Sequence, residues 1–465
     1  MTSSDTLMPG RAMSESEASR HMATLVEENN RRNHARYQVD EAPPVESVGI
    51  VGAGVMGSVV AASAIRYGIP VVITDQNQSA LTSVGQAVRL RMLAESLDST
   101  LDVDQEVAKC LSVTSNLAEV AACDLVVESI VENITTKRNF YSGLEKLCPD
   151  KTLVVSNTST LPISELAAHL REPQRFCGLH YFPPIGEQKM LEIIPSAKTS
   201  EASTARLIQF AERIGRLPVV VADGRGFVVN RILMAYMSAG IRLLMQGVDI
   251  HAIESAALAF GMRMGPMRLY DEVGLDVALN CAFSFSADSD TLIVRTPTIV
   301  RMIKAKQLGR KVGRGFFIHQ VSADSNECVG DVNPKALELI TTEIEERVDL
   351  TPTEIEAAIA LPMVIEATKL LEMGRARGAE QLDLAVMCGF GYAPSRGGPL
   401  YWADRVGADC IVKAIEALQY LGPHFCPTQT LLNAAEQRLT FYDRNGDGRA
   451  DPAVNSSSTH GNTHD

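Results

Sequence analysis

The sequence predicts an α/β domain built on a parallel sheet, followed by an all-helical region that repeats itself. Three observations carry this. From Ser47 short apolar runs alternate with helical patterns, which implies parallel strands covered on both faces. From Gly226 onward strand signals fade and long helical patterns dominate. Within that helical part, three sequence elements recur in the same order. At 465 residues the chain has room for roughly three domains with full cores.

The elements follow in order. Residues 1–44 are polar and rich in Ser, Glu and Arg, and Pro43-Pro44 closes the segment. Ser14 with Glu17 forms a capping-box pattern for a helix over 15–36, but composition favours a flexible tail. Val48 to Val51 reads as a strand, Val55 to Arg66 as a helix, and Pro70 to Thr74 as a second strand ending at Asp75. Leu125-Val126-Val127 and Leu153-Val154-Val155 are further strands. Arg175 to Tyr181 and Met190 to Ile194 are two more, separated by the chain-breaking Pro183-Pro184-Ile185-Gly186.

In the helical region, Gly265-Pro266 and Asp271-Glu272-Val273-Gly274-Leu275-Asp276 are matched 133 residues later by Gly398-Pro399 and Asp404-Arg405-Val406-Gly407-Ala408-Asp409. Phe260-Gly261 and Phe390-Gly391 precede them at nearly the same spacing. A period this long points to a duplicated domain rather than a solenoid. The predicted organisation is therefore a tail over 1–44, an α/β domain over 45–225 and a helical domain over 226–322. A linker near 320–335 leads to a second copy over 335–440, and a disordered tail covers 441–465.

Composition excludes several functions. Hydrophobic residues make up 46% and charged residues 21%, ordinary for a globular chain. No stretch of 18 residues runs free of charges and turn residues, so no membrane span is expected. A net charge of −13 argues against nucleic-acid binding, which needs a basic face. Nine cysteines without a CxxC pair suit neither a disulfide framework nor a zinc site. Nothing at the start resembles a secretory signal. Glu15, Glu17, Glu27 and Glu28 interrupt what a mitochondrial presequence keeps free of acid, so the cytoplasm is the default expectation. Asp443 to Gly448 imitates the start of a calcium loop, but its twelfth position is Val454, which has no carboxylate, so the segment reads as a solvated tail. The histidines show no ligand-like spacing, and no metal is expected.

Gly52-Ala53-Gly54-Val55-Met56-Gly57 follows a strand and opens a helix, with Asp75 at the end of the next strand. This is the Rossmann dinucleotide fingerprint. Gly52 permits the tight turn, Gly54 lets backbone approach a pyrophosphate, and Gly57 lets helix and strand pack closely. Asp75 suits a ribose 2′-hydroxyl and repels a 2′-phosphate, which selects NAD. A second pattern centres on His180. A chain reversal about Gly186 sets position 180 opposite position 192, bringing the Glu192 carboxylate to the His180 imidazole. A ring so oriented can take a substrate proton on its other nitrogen. The run Ser156-Asn157-Thr158-Ser159-Thr160 leaves a strand at the sheet's carboxyl edge. It reads either as donors to a substrate oxygen or as a cap for the helix entered at Pro162-Ile163-Ser164-Glu165.

Together these residues resemble the L-3-hydroxyacyl-CoA dehydrogenase family. The resemblance extends to Val131-Glu132-Asn133 with Lys137, to Gly226-Phe227-Val228-Val229-Asn230-Arg231, and to Gly309 through Phe316, and it covers about residues 47–440. The chain looks most like the dehydrogenase half of the multifunctional fatty-acid oxidation α-subunit. The enoyl-CoA hydratase half that precedes it there has no counterpart in the 44-residue tail. The resemblance implies an α/β Rossmann-type NAD-binding domain followed by a duplicated all-α, 6-phosphogluconate-dehydrogenase-like C-terminal domain. It implies NAD as cofactor, acyl-CoA as substrate, and oxidation of L-3-hydroxyacyl-CoA to 3-oxoacyl-CoA in β-oxidation. His180 becomes the general base and Glu192 its support. Ser159 would bond the reacting oxygen, and Asn230 would orient substrate. Glu132, Lys137 and Lys311 would line the NAD site. Self-association, or docking with hydratase and thiolase partners, also comes with the resemblance, and the second helical copy would stand in for a partner subunit. One departure is His180-Tyr181-Phe182-Pro183-Pro184, where the family commonly has His-Phe-Phe-Asn-Pro. Proline offers no donor in place of that amide, and because relatives in the multifunctional branch vary here, the resemblance implies altered rather than abolished activity. Two other readings stand beside this one, a dehydrogenase of a 3-hydroxy acid without CoA and a non-catalytic NAD-binding scaffold.

Overall fold

The computed structural model describes residues 12–95, 101–182, 190–285, 296–319, 330–342, 344 and 347–442. The expectations placed on Pro183, on residues 320–329 and on the calcium-like segment 443–448 lie outside the described residues. The chain divides into two compact units, one of residues 26–227 and one of residues 1–25 with 228–465. Among the described residues no helix is long and apolar enough to cross a membrane.

The first unit is built on eight strands: β1 (Val48–Val51), β2 (Val71–Thr74), β3 (Leu111–Val113), β4 (Leu125–Glu128), β5 (Leu153–Ser156), β6 (Phe176–Tyr181), β7 (Met190–Pro195) and β8 (Leu217–Val220). Their order is β3-β2-β1-β4-β5-β6-β7-β8. Every neighbouring pair is parallel except β6 with β7. The order reverses between β1 and β4, at the place where open α/β sheets bind ligands. The strands are short apolar runs because helices cover both faces. Val48, Ile50, Val71, Ile73, Leu125, Val127, Leu153 and Val155 are all buried in one core with Val60, Ile65, Val88 and Ile208 of the covering helices.

Two strands escape the sequence reading. β3 directly follows the Val103–Cys110 helix and is three residues long, so its pattern merges with the helix end. β8 contains Pro218, which has no N–H for a ladder and fits the sheet margin. The flexible-tail reading is also corrected over Glu15–Tyr37, which is a helix. The Ser14–Glu17 capping box forms, with the Ser14 N–H donating to Glu17 at 2.8 Å. Leu25, Asn29, Asn33 and Tyr37 fall at four-residue spacing and are buried. Two of these four are asparagines, which is why hydropathy conceals the stripe. Both amides donate to the Pro218 carbonyl, at 2.9 and 3.1 Å.

In the helical unit the recurring sequence elements occupy matching places. Pro266–Val273 and Pro399–Val406 are helices whose ends lie 133 residues apart. Each stops at a glycine of the same conformation, Gly274 at φ 92°, ψ 127° and Gly407 at φ 96°, ψ 128°. A buried acid caps each start. Glu254 accepts the Met267 N–H at 2.9 Å, and Asp383 accepts those of Leu400 and Tyr401 at 3.0 and 2.7 Å. Asp271 then holds the backbone of Phe316 and Phe317, as Asp404 holds that of Phe441 and Tyr442. The expected disordered tail over 441–465 therefore begins too early, since Phe441 and Tyr442 are fixed by Asp404.

Burial raises the Asp383 carboxyl to about 8, despite its three donors. Because its folded value lies above the ordinary 3.8, the folded state holds a proton that the unfolded chain releases. The stabilisation this gives is full at low pH and is lost as pH rises through about 8. Thermal unfolding of the whole chain is expected to shift to lower temperature between pH 5 and pH 9, and Asp383→Asn to flatten that slope. An Asp383→Asn slope equal to the native one would contradict the assignment.

Candidate active site

The glycine loop runs from the end of β1 into the Val55–Ile65 helix. Gly52 has φ 108°, and a Cβ there would stand 2.5 Å from the Ser129 carbonyl oxygen beyond β4. A Cβ on Gly57 would collide with the Gly52 carbonyl oxygen. Both glycines are thus required by the protein's own packing. Gly54 is different. Its φ of −81° suits any residue, and a Cβ there would meet nothing within 4 Å. Packing does not explain this glycine, whereas room for a phosphate against the free first-turn amides of the helix does. Asp75 braces the loop, accepting the Ala53 N–H at 2.7 Å on one oxygen and the Asn77 N–H at 2.8 Å on the other. These residues fit a dinucleotide.

Beside the loop lies a charged network that the sequence reading missed. Glu128 ends β4 fully buried. It accepts from the Ile130 N–H at 2.7 Å, Lys137 Nζ at 2.6 Å, Ser156 Oγ at 2.8 Å and the Tyr141 hydroxyl. Burial and then the Glu128 charge push the Tyr141 phenol well above its ordinary value, so it stays a donor. Lys137 also lies 3.4 Å from Glu132, whose other oxygen accepts from the Ser159 and Thr160 N–H groups at 3.1 and 3.2 Å and from both threonine hydroxyls. Glu132 and Lys137, expected to line the cofactor site, thus tie β4 to the loop that presents Ser159. The detectable signal was a carboxylate closing the apolar run Leu125 to Val127.

Lys137→Met would leave Glu128 buried without its counter-ion. The expected cost is about 3–5 kcal/mol of stability, read from urea unfolding of the whole chain. A loss below about 1 kcal/mol would show that the three neutral donors suffice.

The loop after β5 settles part of the open question about residues 156–160. The Ile163–Ala167 helix is capped by Asp223, which accepts the Ile163 and Ser164 N–H groups at 2.7 Å each. Thr158 folds inward, accepting the Leu161 N–H at 3.0 Å. The Asn157 amide oxygen holds the Tyr181 N–H at 2.9 Å, fixing the strand end beside His180.

β6 and β7 pair with His180 opposite Glu192, the register expected from a reversal about Gly186. His180 Nδ1 lies 2.8 Å from the Glu192 carboxylate. The ring is 2% exposed and the carboxylate 0%, so the pair is shielded from water. A carboxylate only accepts, so in this hydrogen bond Nδ1 is the donor to Glu192. Phe182 meets the ring edge-on at 4.3 Å and Phe227 lies at 5.8 Å. Among the described residues His180 Nε2 has no hydrogen-bond partner. Of the eleven expected site residues, Gly52, Gly54, Gly57, Asp75, Glu132, Lys137, Ser159, His180 and Glu192 belong to the sheet unit. Asn230 and Lys311 belong to the helical unit, Asn230 at the start of the Val229–Met245 helix and Lys311 ion-paired with Asp276.

A glycine loop at the sheet's switch point, with a buried histidine–carboxylate pair two strands beyond β4, defines a Rossmann-type dinucleotide-binding domain. Residues 47–224 match the 3-hydroxyacyl-CoA dehydrogenase NAD-binding domain, and residues 226–319 match the C-terminal domain of the same family. The chain belongs to the 3-hydroxyacyl-CoA dehydrogenase family. It is 30% identical over 414 residues to the fatty acid oxidation complex subunit alpha of Idiomarina loihiensis, covering 88% of this chain and 57% of that protein. The chain thus spans little more than half the length of that relative. The dehydrogenase part of multifunctional enzyme 1 from C. elegans is 26% identical with a TM-score of 0.61, over 85% of this chain and 90% of that one. The 3-hydroxybutyryl-CoA dehydrogenase of Escherichia coli K12 shares the fold at 23% identity, with a TM-score of 0.71 over 85% and 99% of the two chains.

Proposed function

We propose that this chain oxidises L-3-hydroxyacyl-CoA to 3-oxoacyl-CoA, as in fatty-acid β-oxidation. The observation that carries the proposal is the buried His180–Glu192 pair, held at 2.8 Å in the unit that also bears the glycine loop. NAD, when bound, supplies the hydride acceptor. Gly52, Gly54 and Gly57 would hold its pyrophosphate and Asp75 its ribose, and by the resemblance Glu132, Lys137 and Lys311 would line its site. His180 Nε2 takes the proton of the 3-hydroxyl as the hydride leaves the same carbon, so the C–O bond becomes a carbonyl. Glu192 keeps Nδ1 protonated and offsets the positive charge the ring gains. The Glu132 latch holds Ser159 toward the reacting oxygen, and Asn230 would orient the substrate. The helical unit reads as two copies of one domain.

The name of the Idiomarina loihiensis relative, a fatty acid oxidation complex subunit, supports a place in a fatty-acid oxidation assembly. Docking with hydratase and thiolase partners, or self-association, and a cytoplasmic location are parts of the proposal that rest on the resemblance and the sequence alone. A 3-hydroxy acid without CoA is the competing substrate. With NAD present, L-3-hydroxybutyryl-CoA is expected to protect the chain from heat and proteolysis, and free L-3-hydroxybutyrate to leave it unchanged. Protection by the free acid alone would transfer the proposal to the smaller substrate.

A further inference from the structure

The helical unit gathers a set of polar side chains that the proposed reaction does not use. Arg242 stands in the last turn of the Val229–Met245 helix, and Gln246 follows four residues later on the same face. The segment from Leu421 to His424 packs against them. Gln246 Nε2 donates to the Leu421 carbonyl at 3.1 Å. Gly422 has φ 142°, and a Cβ built there would lie 2.6 Å from an Arg242 Nη and 3.1 Å from His424 Cε1. Guanidinium and imidazole therefore close on the same side of one glycine, where another residue would collide.

Among the described residues no acidic side chain compensates Arg242 or His424. The Arg242 side chain makes no hydrogen bond or ion pair among the described residues, and its Nε is buried. His424 is 8% exposed, yet both its ring nitrogens are buried without a partner, as is the Gln246 amide oxygen. Burial alone lowers Arg242 below its usual range, with no carboxylate acting against it. His424 is pushed down to about 3 by burial and by the charges of Arg242 and Lys369. Folded proteins rarely leave several buried polar atoms unpaired side by side, and an uncompensated guanidinium adds to the cost.

We propose that Arg242, Gln246 and His424 form a binding site for a phosphate group, either inorganic phosphate or a phosphate monoester. Phosphate oxygens accept from the planar guanidinium fork and from a ring N–H, and their charge offsets that of Arg242. A hydrogen phosphate also carries one O–H, the donor that the Gln246 oxygen lacks. Sulfate at neutral pH has no such proton, which makes it the discriminating control. The proposal does not depend on the dehydrogenase reading.

The test is calorimetric titration of the whole chain with inorganic phosphate, glycerol 3-phosphate and sulfate, with NAD saturating so that the glycine loop does not compete. Saturable phosphate binding is expected, at least about tenfold weaker in Arg242→Met and at least about tenfold tighter than sulfate. Gln246→Leu, at a half-buried helix end, is the second variant should Arg242→Met fail to fold. It is expected to weaken phosphate binding and leave sulfate binding unchanged. Glycerol 3-phosphate binding more tightly than phosphate would support an organic ligand, and more weakly an inorganic one. Phosphate binding unchanged in the folded variants, or absent from the native chain, would overturn the proposal.

Discussion

His180→Gln is expected to lower the rate of NADH formation by about 10²–10⁴-fold, the contribution typical of a positioned general base. Glutamine is close in length and keeps a donor that can reach Glu192, so the buried carboxylate stays hydrogen-bonded and the hairpin stays paired. The base proposed at Nε2 is lost. NAD affinity should be unchanged, because the glycine loop and Asp75 make no contact with the substituted ring. The measurements are turnover and NAD binding on the same preparation. Near-native turnover would remove His180 from the reaction, and simultaneous loss of NAD binding would point to a general structural defect.

Gly54→Ala carries the second large effect. Its φ of −81° is allowed to alanine and a Cβ would meet nothing within 4 Å, so folding should be unaffected or improved by about 0.4–1 kcal/mol. A methyl group there would instead fill the space proposed for the pyrophosphate. NAD is expected to bind at least about tenfold more weakly, from loss of one or more charge-assisted amide contacts. Gly57→Ala is the contrasting variant. Its Cβ collides with the Gly52 carbonyl, so it should lose stability and NAD binding together. Equal NAD affinity in Gly54→Ala and the native chain would show that the glycine loop is not the cofactor cradle.

The parts of the site legible beforehand were those encoded at short range. The glycine loop is a local strand–turn–helix motif, and the structure gives Gly52 and Gly57 separate packing reasons. The pairing of His180 with Glu192 could be read because a hairpin's register follows from the centre of its turn. Long-range polar ties were not legible. Asp223 caps a helix that begins 60 residues earlier, and Asn29 and Asn33 reach a carbonyl more than 180 residues away. Neither distance leaves a periodic trace. The Glu128 network failed for another reason, since a lone carboxylate after three apolar residues looks like the end of a strand until Lys137, Tyr141 and Ser156 are folded onto it.

The helical repeat lies between these cases. Two copies of Gly-Pro followed by Asp-x-Val-Gly-x-Asp announced it, but the acid capping each copy differs, Glu254 in one and Asp383 in the other. Side-chain length changed while the role of closing a helix start was kept.

The measurement that tests the central claim most directly is NADH formation by the purified chain given NAD and L-3-hydroxybutyryl-CoA, extended to longer acyl chains. A steady rise in absorbance at 340 nm, matched mole for mole by 3-oxoacyl-CoA, is the predicted result. Silence at every chain length, with NAD bound and the protein folded, would contradict it.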